Sequence, residues 1–275
     1  MNLSRVLPRL GAVPELTTYD LVKTLAVVLM LVDHVGYFFY PDETWFRVIG
    51  RGCLPIWFFL IGYAQSRDLG VSLWVGAILV GIANMTLGGS VFPFNVLFTM
   101  IAIRLVLDAV AERMFSHWVW LISGAALMAF AYLPSAMALE YGTSGLLLAL
   151  FGYAIRREGE LNVPNWLLYV FSAYTLIFFA VSQNFLFSSA DPNFGEAQKL
   201  ATLAIVGVSG LMMTCFQPLT LPRLSAAMPR FLTAILQIGG RYTMEIYVIH
   251  LILFRLISAI LELPGHEFLK LQWIY

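Results

Sequence analysis

The sequence predicts an all-α, polytopic integral membrane protein of about nine to ten transmembrane helices, and three observations carry that expectation. Hydrophobic residues make up 60% of the 275 and charged residues 12%, with a mean hydropathy of +0.82, too little polar surface for a soluble globule. Apolar runs reach spanning length repeatedly. The breaks between them are short and polar or rich in Pro and Gly, with no fixed-period repeat or low-complexity tract. The whole chain, 1–275, reads as one polytopic domain. Its 16 basic and 16 acidic residues leave no net charge and no basic run, which argues against a nucleic-acid partner.

Met1 to Asp20 holds Arg5, Pro8, Arg9 and Pro14 and no apolar core, so it is not a cleavable signal peptide. Residues 1–19 are expected in the cytoplasm, leading into the run 20–40 as an uncleaved signal anchor. Pro41-Asp42-Glu43 ends that run; a second, 46–65, closes at Arg67-Asp68, and a third, 70–88, at Gly88-Gly89-Ser90. The fourth, 94–112, carries Asn95, Thr99 and the pair Arg104 and Asp108, expected to neutralise one another four residues apart. The next runs are 117–134, stopped at Pro134-Ser135, and 142–156, stopped at Arg156-Arg157-Glu158-Gly159. Then comes 165–186, followed by the polar stretch Ser188 to Gln198 with Asp191-Pro192-Asn193. The last two are 199–216 and 242–262, with a weaker stretch at 229–239 expected as an interfacial or re-entrant helix. Cys53 and Cys215 fall inside these runs with no CxxC and no histidine at ligand spacing, so they read as small buried residues, with no metal site expected. Trp45, Trp57, Trp118, Trp120 and Trp166 fit an interfacial aromatic belt.

Alternate loops collect the arginines: Arg5 and Arg9, Arg67, Arg113, Arg156 and Arg157, then Arg223, Arg230 and Arg241. The intervening loops hold Asp42, Glu43, Glu140, Asp191 and Glu196. Positive charge stays inside, so the amino terminus is expected in the cytoplasm.

Asp33 and His34 sit inside the first run, where an ionisable group costs roughly 2.5–3.5 kcal/mol on insertion scales and is kept when it meets a partner or a polar cavity. Lys23 lies eleven residues earlier, which returns it to within about 20° of the face of His34. Lys23, Val27, Met30 and His34 thus form one stripe, roughly 16 Å long, that suggests a channel leading inward. Arg47 and Arg51, four apart, enter from the outer side and can meet Asp33 and His34 there; Lys23 lies nearer the cytoplasm. Adjacent helical residues diverge by about 100°, so Asp33 cannot orient His34 as a triad carboxylate does. On the last run, Tyr247 and His250 are either cavity lining or helix-to-helix hydrogen bonding, and Arg241 with Glu245 reads as a neutralised pair.

Lys23-Thr24-Leu25-Ala26 through Met30, Asp33-His34, Arg47-Val48-Ile49-Gly50-Arg51 and Leu54-Pro55-Ile56-Trp57-Phe58 resemble the amino-terminal signature of the TraX family, membrane acetylases named for F-pilin acetylation. The resemblance continues through Asn95-Val96-Leu97-Phe98-Thr99, Glu140-Tyr141-Gly142-Thr143-Ser144-Gly145 and Arg241-Tyr242-Thr243-Met244-Glu245-Ile246-Tyr247 with His250. It implies an acyltransferase-like helix bundle in the bacterial inner membrane that takes an acetyl group from cytoplasmic acetyl-CoA, without a metal, to an acceptor on the outer face. That acceptor is the amino terminus of a pilin or another envelope group. The family is similar in turn to broader membrane acyltransferases with Arg and His ten residues apart in the first helix. Lys23 stands here in place of that Arg and lacks its bidentate fork. On this reading His34 is base or acyl carrier, with Asp33 and Arg51 completing the catalytic group. Lys23, Arg47, Asn95, Tyr247, His250 and Arg241 bind donor or substrate. The rival functions are a proton-coupled transporter, an acyltransferase acting on a glycan hydroxyl, and a non-catalytic assembly factor.

Overall fold

The computed structural model describes residues 15–191, 194–261, 263 and 272–274, so expectations resting on Arg5, Arg9, Pro192 and Asn193 lie outside the described residues. Helix α1 (Thr18–Phe39) begins where Thr17 and Asp20 form a capping box, each side chain accepting from the other's backbone N–H. Asp20 is buried and also takes Arg241, with Nε–Oδ1 at 3.2 Å. The second run bends into α2 (Thr44–Gly50) and α3 (Cys53–Tyr63), which together make a 20-residue apolar stretch. Next come α4 (Val71–Thr86), strand β1 (Ser90–Phe92), α5 (Val96–Met114), α6 (Trp118–Phe130) and α7 (Tyr132–Ala138). They are followed by α8 (Gly142–Arg156), α9 (Asn165–Ala190), α10 (Glu196–Thr214), α11 (Pro222–Ala227), α12 (Arg230–Arg241) and α13 (Thr243–Ile260). A short strand β2 (Gln272–Ile274) pairs in parallel with β1, Ser90 opposite Gln272, a detail the all-α reading did not contain.

Each expected apolar run is helical, but the expected nine to ten spans are not what the helices support. Among the described residues five helices are long and apolar enough to cross a membrane, or six if α6 and α7, bent by 57°, act as one. The physical reason lies in the rest. Helix α4 has 16 residues and α8 has 15, short of the ~20 a span needs, while α5 carries Arg104, Asp108, Glu112 and Arg113. Helix α8 is buried along nearly its whole length, from Leu147 to Ala154 without a break. A helix apolar all round is a core helix as readily as a membrane span, and hydropathy does not separate the two.

The core forms around α8 and α3. They touch backbone to backbone: a Cβ at Gly62 would fall 1.7 Å from the Ala149 carbonyl oxygen, and one at Gly152 2.1 Å from that of Phe59. Phe59 and Phe151 pack edge-on beside this contact, both fully buried. The outward faces stay apolar, with Ile78 and Ile82 of α4, Ile177 and Val181 of α9 and Val208 and Leu211 of α10 exposed, as lipid contact demands. Amphipathic α12 lays Gln237 and Gly240 against α1 and leaves Phe231, Ile235 and Ile238 exposed, in keeping with an interfacial helix.

Two expectations about side chains are corrected. Asp108 pairs with Arg67 at 3.1 Å, and Arg104 donates instead to the Asp68 carbonyl at 2.7 Å, because the loop after α3 folds over α5 and supplies nearer partners. Cys53 is buried as expected, but Cys215 is exposed, lining an apolar groove of about 640 Å³ with Val22, Met212 and Phe216.

Gly62→Ala or Gly152→Ala is therefore expected to force α3 and α8 apart and to cost at least about 1–3 kcal/mol, the range typical of overpacking. Gly207→Ala in α10 meets no atom within 4 Å and should hold or slightly raise the melting temperature. Thermal unfolding of the three variants in one detergent compares them directly.

Candidate functional site

The first helix distributes its ionisable residues over two faces. His34 turns to α13, where its Nδ1 lies 2.8 Å from His250 Nε2, and His250 Nδ1 contacts the Ile246 carbonyl at 2.7 Å. Tyr247 closes one side, its ring 6.2 Å from that of His34 and 5.8 Å from that of His250, and Phe38 closes another at 6.4 Å from His34. His34 and His250 are thus the imidazole pair that the sequence placed in separate roles.

Asp33, offset by about 100° on the same helix, turns to α2. Arg47 Nη1 reaches its Oδ2 at 2.7 Å and Arg51 Nε faces its Oδ1 at 3.9 Å, the latter two atoms buried and without a hydrogen-bond partner. Gly50 permits this approach, since a Cβ there would fall 2.2 Å from that of Asp33. Arg51 also donates to the Tyr141 hydroxyl at 2.6 Å and lies over the Phe187 ring at 4.9 Å, while Arg47 lies over Tyr37 at 5.0 Å. Neither Asp33 nor Arg51 hydrogen-bonds to His34. The expected meeting of all four residues resolves into an ion cluster and an imidazole pair on neighbouring faces.

The remaining site residues scatter. Lys23 stands over Tyr19 at 5.6 Å, and a chain of rings, Tyr19 on Phe216 and Phe216 on Tyr63, leads to Arg156, which lies over Tyr63 at 5.4 Å and donates to its carbonyl. The stripe between Lys23 and His34 is closed, not open as a channel: Val27 and Met30 are each 4% exposed. Arg241 binds Asp20 and the Glu15 carbonyl, which ties α12 to the start of α1. Arg67 is spent on the carbonyls of Ile61, Gly62 and Ala64 at the end of α3. Asn95 caps α5 through Leu97 N and donates to the Ala77 carbonyl, so its amide works for the scaffold.

Sequence reasoning placed Glu140 in an intervening loop and Glu140-Tyr141 in the resemblance but gave no site role to Glu140, Tyr141 or Phe187. Glu140 accepts from Val96 N at 2.9 Å at the start of α5, and its own carbonyl accepts from Thr99. It lies in the turn before α8, where burial pushes its carboxyl up to about 7. Tyr141, the next residue, sits at φ +68° in the left-handed region and aims its hydroxyl at Arg51. The signal for that turn was the Glu140-Tyr141-Gly142 run between two apolar helices.

A family model described as TraX protein matches residues 18–258, which includes every site residue above. An uncharacterised protein of Rickettsia prowazekii (strain Madrid E) is 24% identical over 195 residues, 70% of this chain and 77% of that one. The protein TraX of Escherichia coli (strain K12) is 26% identical over 209 residues, 72% of this chain and 79% of that one. Another Escherichia coli protein TraX is 28% identical over 147 residues, 51% of this chain and 57% of that one, so that match spans little more than half the relative. No solved structure matches.

Glu140 makes stability depend on pH. Its carboxyl is held above its ordinary 4.5, so the folded protein keeps a proton there that the unfolded chain releases. That contribution is complete below 4.5 and is lost as pH rises through about 7. Glu140→Gln should remove this dependence, read as the difference between the melting curves of the two proteins across that window.

Proposed function

The chain belongs to the TraX family, and on that premise we propose that it is an integral membrane acyltransferase, moving an acetyl group from cytoplasmic acetyl-CoA to an acceptor at the outer face. The acceptor is the amino terminus of a membrane-inserted pilin, and the membrane is the bacterial inner membrane. The observation that carries the reading is His34: an imidazole inside the first span, paired with His250 and with no hydrogen-bond partner on its Nε2 among the described residues. A neutral imidazole there can take a proton from an attacking amine or accept the acyl group itself.

Donor and acceptor come from opposite ends. Lys23 and Arg156, linked by the ring chain, are cations at the first end of α1, and they receive the polyanionic donor. The thioester then travels the stripe past Val27 and Met30, where the Met30 side chain must turn aside. Arg47 and Arg51, anchored on Asp33 one residue before His34, stabilise charge developing on the acyl oxygen.

Orientation follows from the same assignment. The end holding Lys23, Arg156 and Arg241 faces the cytoplasm, and the end holding Glu43, Glu140 and Asp191 faces out. A cysteine placed at Ser189 should be labelled by an impermeant reagent from outside and one at Gly159 should not. The reverse pattern removes the outer-face site.

Purified protein should bind acetyl-CoA with an affinity that falls as salt rises, because exposed phosphate contacts are screened over about 8 Å at physiological ionic strength. Lys23→Ala should weaken that binding more than His34→Ala does, whereas His34→Ala should slow transfer by about 10²–10⁴ in a protein that still folds. Calorimetry and mass spectrometry of the acceptor measure the two effects. Absence of acetyl-CoA binding, together with proton-coupled uptake into liposomes, would instead identify a transporter.

A further inference from the structure

The hydrogen-bond chain that ends on His34 has a direction. A main-chain carbonyl only accepts, so the 2.7 Å contact with the Ile246 oxygen puts a proton on His250 Nδ1. Neither ring is hydrogen-bonded to a carboxylate, and Asp33 is already engaged by Arg47, so an added proton would have no counter-ion and the resting pair is neutral. A neutral imidazole has one ring proton, which leaves His250 Nε2 as a lone pair. The 2.8 Å contact between the rings then requires the proton of His34 to sit on Nδ1. His34 Nε2 is left bare, and it has no hydrogen-bond partner among the described residues.

We propose that His250 is a positioning residue: anchored on the Ile246 carbonyl, it holds His34 in the tautomer with a bare Nε2 and receives the Nδ1 proton when Nε2 is protonated. The geometry alone carries the tautomer, while the second half rests on the acyl-transfer reading. In that reaction the acceptor nitrogen forms its bond to the acyl carbon, and the C–S bond of the thioester breaks with its electron pair on sulfur. The proton lost by the acceptor nitrogen goes to His34 Nε2. His34 passes its Nδ1 proton to His250 Nε2, so His34 ends neutral and the cation rests on His250, against the Ile246 carbonyl. Proton return through the same pair to the thiolate restores the starting tautomers. A substrate-binding role for His250 needs none of this directionality, and the Ile246 contact shows why its ring is turned as it is.

Nitrogen-15 NMR of the full chain in lipid, with labelled histidine, separates protonated from bare ring nitrogens, and His34→Gln assigns the signals. The expected result is a protonated Nδ1 and a bare Nε2 on His34. His250→Ala should move the His34 proton to Nε2, the position an unconstrained neutral histidine side chain prefers. His250→Gln keeps an acceptor oxygen for His34 Nδ1–H and should keep the tautomer. It cannot take up a proton, so its transfer rate should fall between those of the parent protein and His250→Ala. A bare Nδ1 on His34 in the parent protein, or a His34 tautomer indifferent to His250→Ala while His250→Gln folds normally, overturns the proposal. Equal transfer rates for His250→Gln and the parent protein overturn the proton hand-over. If the tautomers follow the expected pattern and no acyl-CoA supports transfer, the positioning role stands and the acyl-transfer reading falls.

Discussion

A carboxylate in the middle of a 22-residue apolar helix sets the terms for everything near it. Asp33 cannot be left alone in that environment, and the chain answers with two arginines from the next helix. Bringing Arg47 within 2.7 Å requires α2 to lie against α1, and that approach is possible because residue 50 has no side chain. Arg51 then recruits Tyr141 from the head of α8 and Phe187 from α9. Four elements meet around one negative charge. Removing one partner from such a buried pair costs about 3–5 kcal/mol, because the other is stranded.

The same constraint assigns His34 its neighbours. With Asp33 fixed on α2, the roughly 100° step to the next residue aims the imidazole at α13. There it finds His250, in place of a carboxylate. A carboxylate partner would hold an added proton on His34 by charge; an imidazole partner can carry the proton away and leave His34 uncharged. The separation of ions from imidazoles is therefore chemical as well as geometric, and it arises from the adjacency of two residues in sequence.

How much of this was readable in advance depended on whether the informative contact is local. The helical character of the apolar runs follows from periodicity, and the structure reproduces it, though runs 46–65 and 117–134 each break into two helices. The Asp33 to Arg47 contact could be anticipated because both charges needed a partner at the same depth. The pairing of His34 with His250 joins residues 216 apart, and nothing in local pattern distinguishes it from packing. Arg104 and Asp108 show the opposite error, since correct helical spacing lost to Arg67 and the Asp68 carbonyl on another element. The helix count failed for a related reason: α8 is as apolar as a membrane span because protein, not lipid, surrounds it.

What the sequence presented as a polar path is, in the folded chain, a stripe with charged or polar ends and an apolar middle. Val27 and Met30 are packed into the core, so the path between Lys23 and His34 is shut. On the proposed reading, a closed path keeps water arriving along the stripe from competing with an acceptor for an acyl group at His34. Of the two plugs, Met30 is the one able to yield: its unbranched thioether has three rotatable bonds, while β-branched Val27 is fixed at χ1. Met30 also lies four residues before His34, one turn nearer the Lys23 end and on the same face. Helix α1 is pinned by Asp20 on Arg241 at one end and by Asp33 on Arg47 toward the other, so a change of Met30 rotamer would open the stripe without moving the helix.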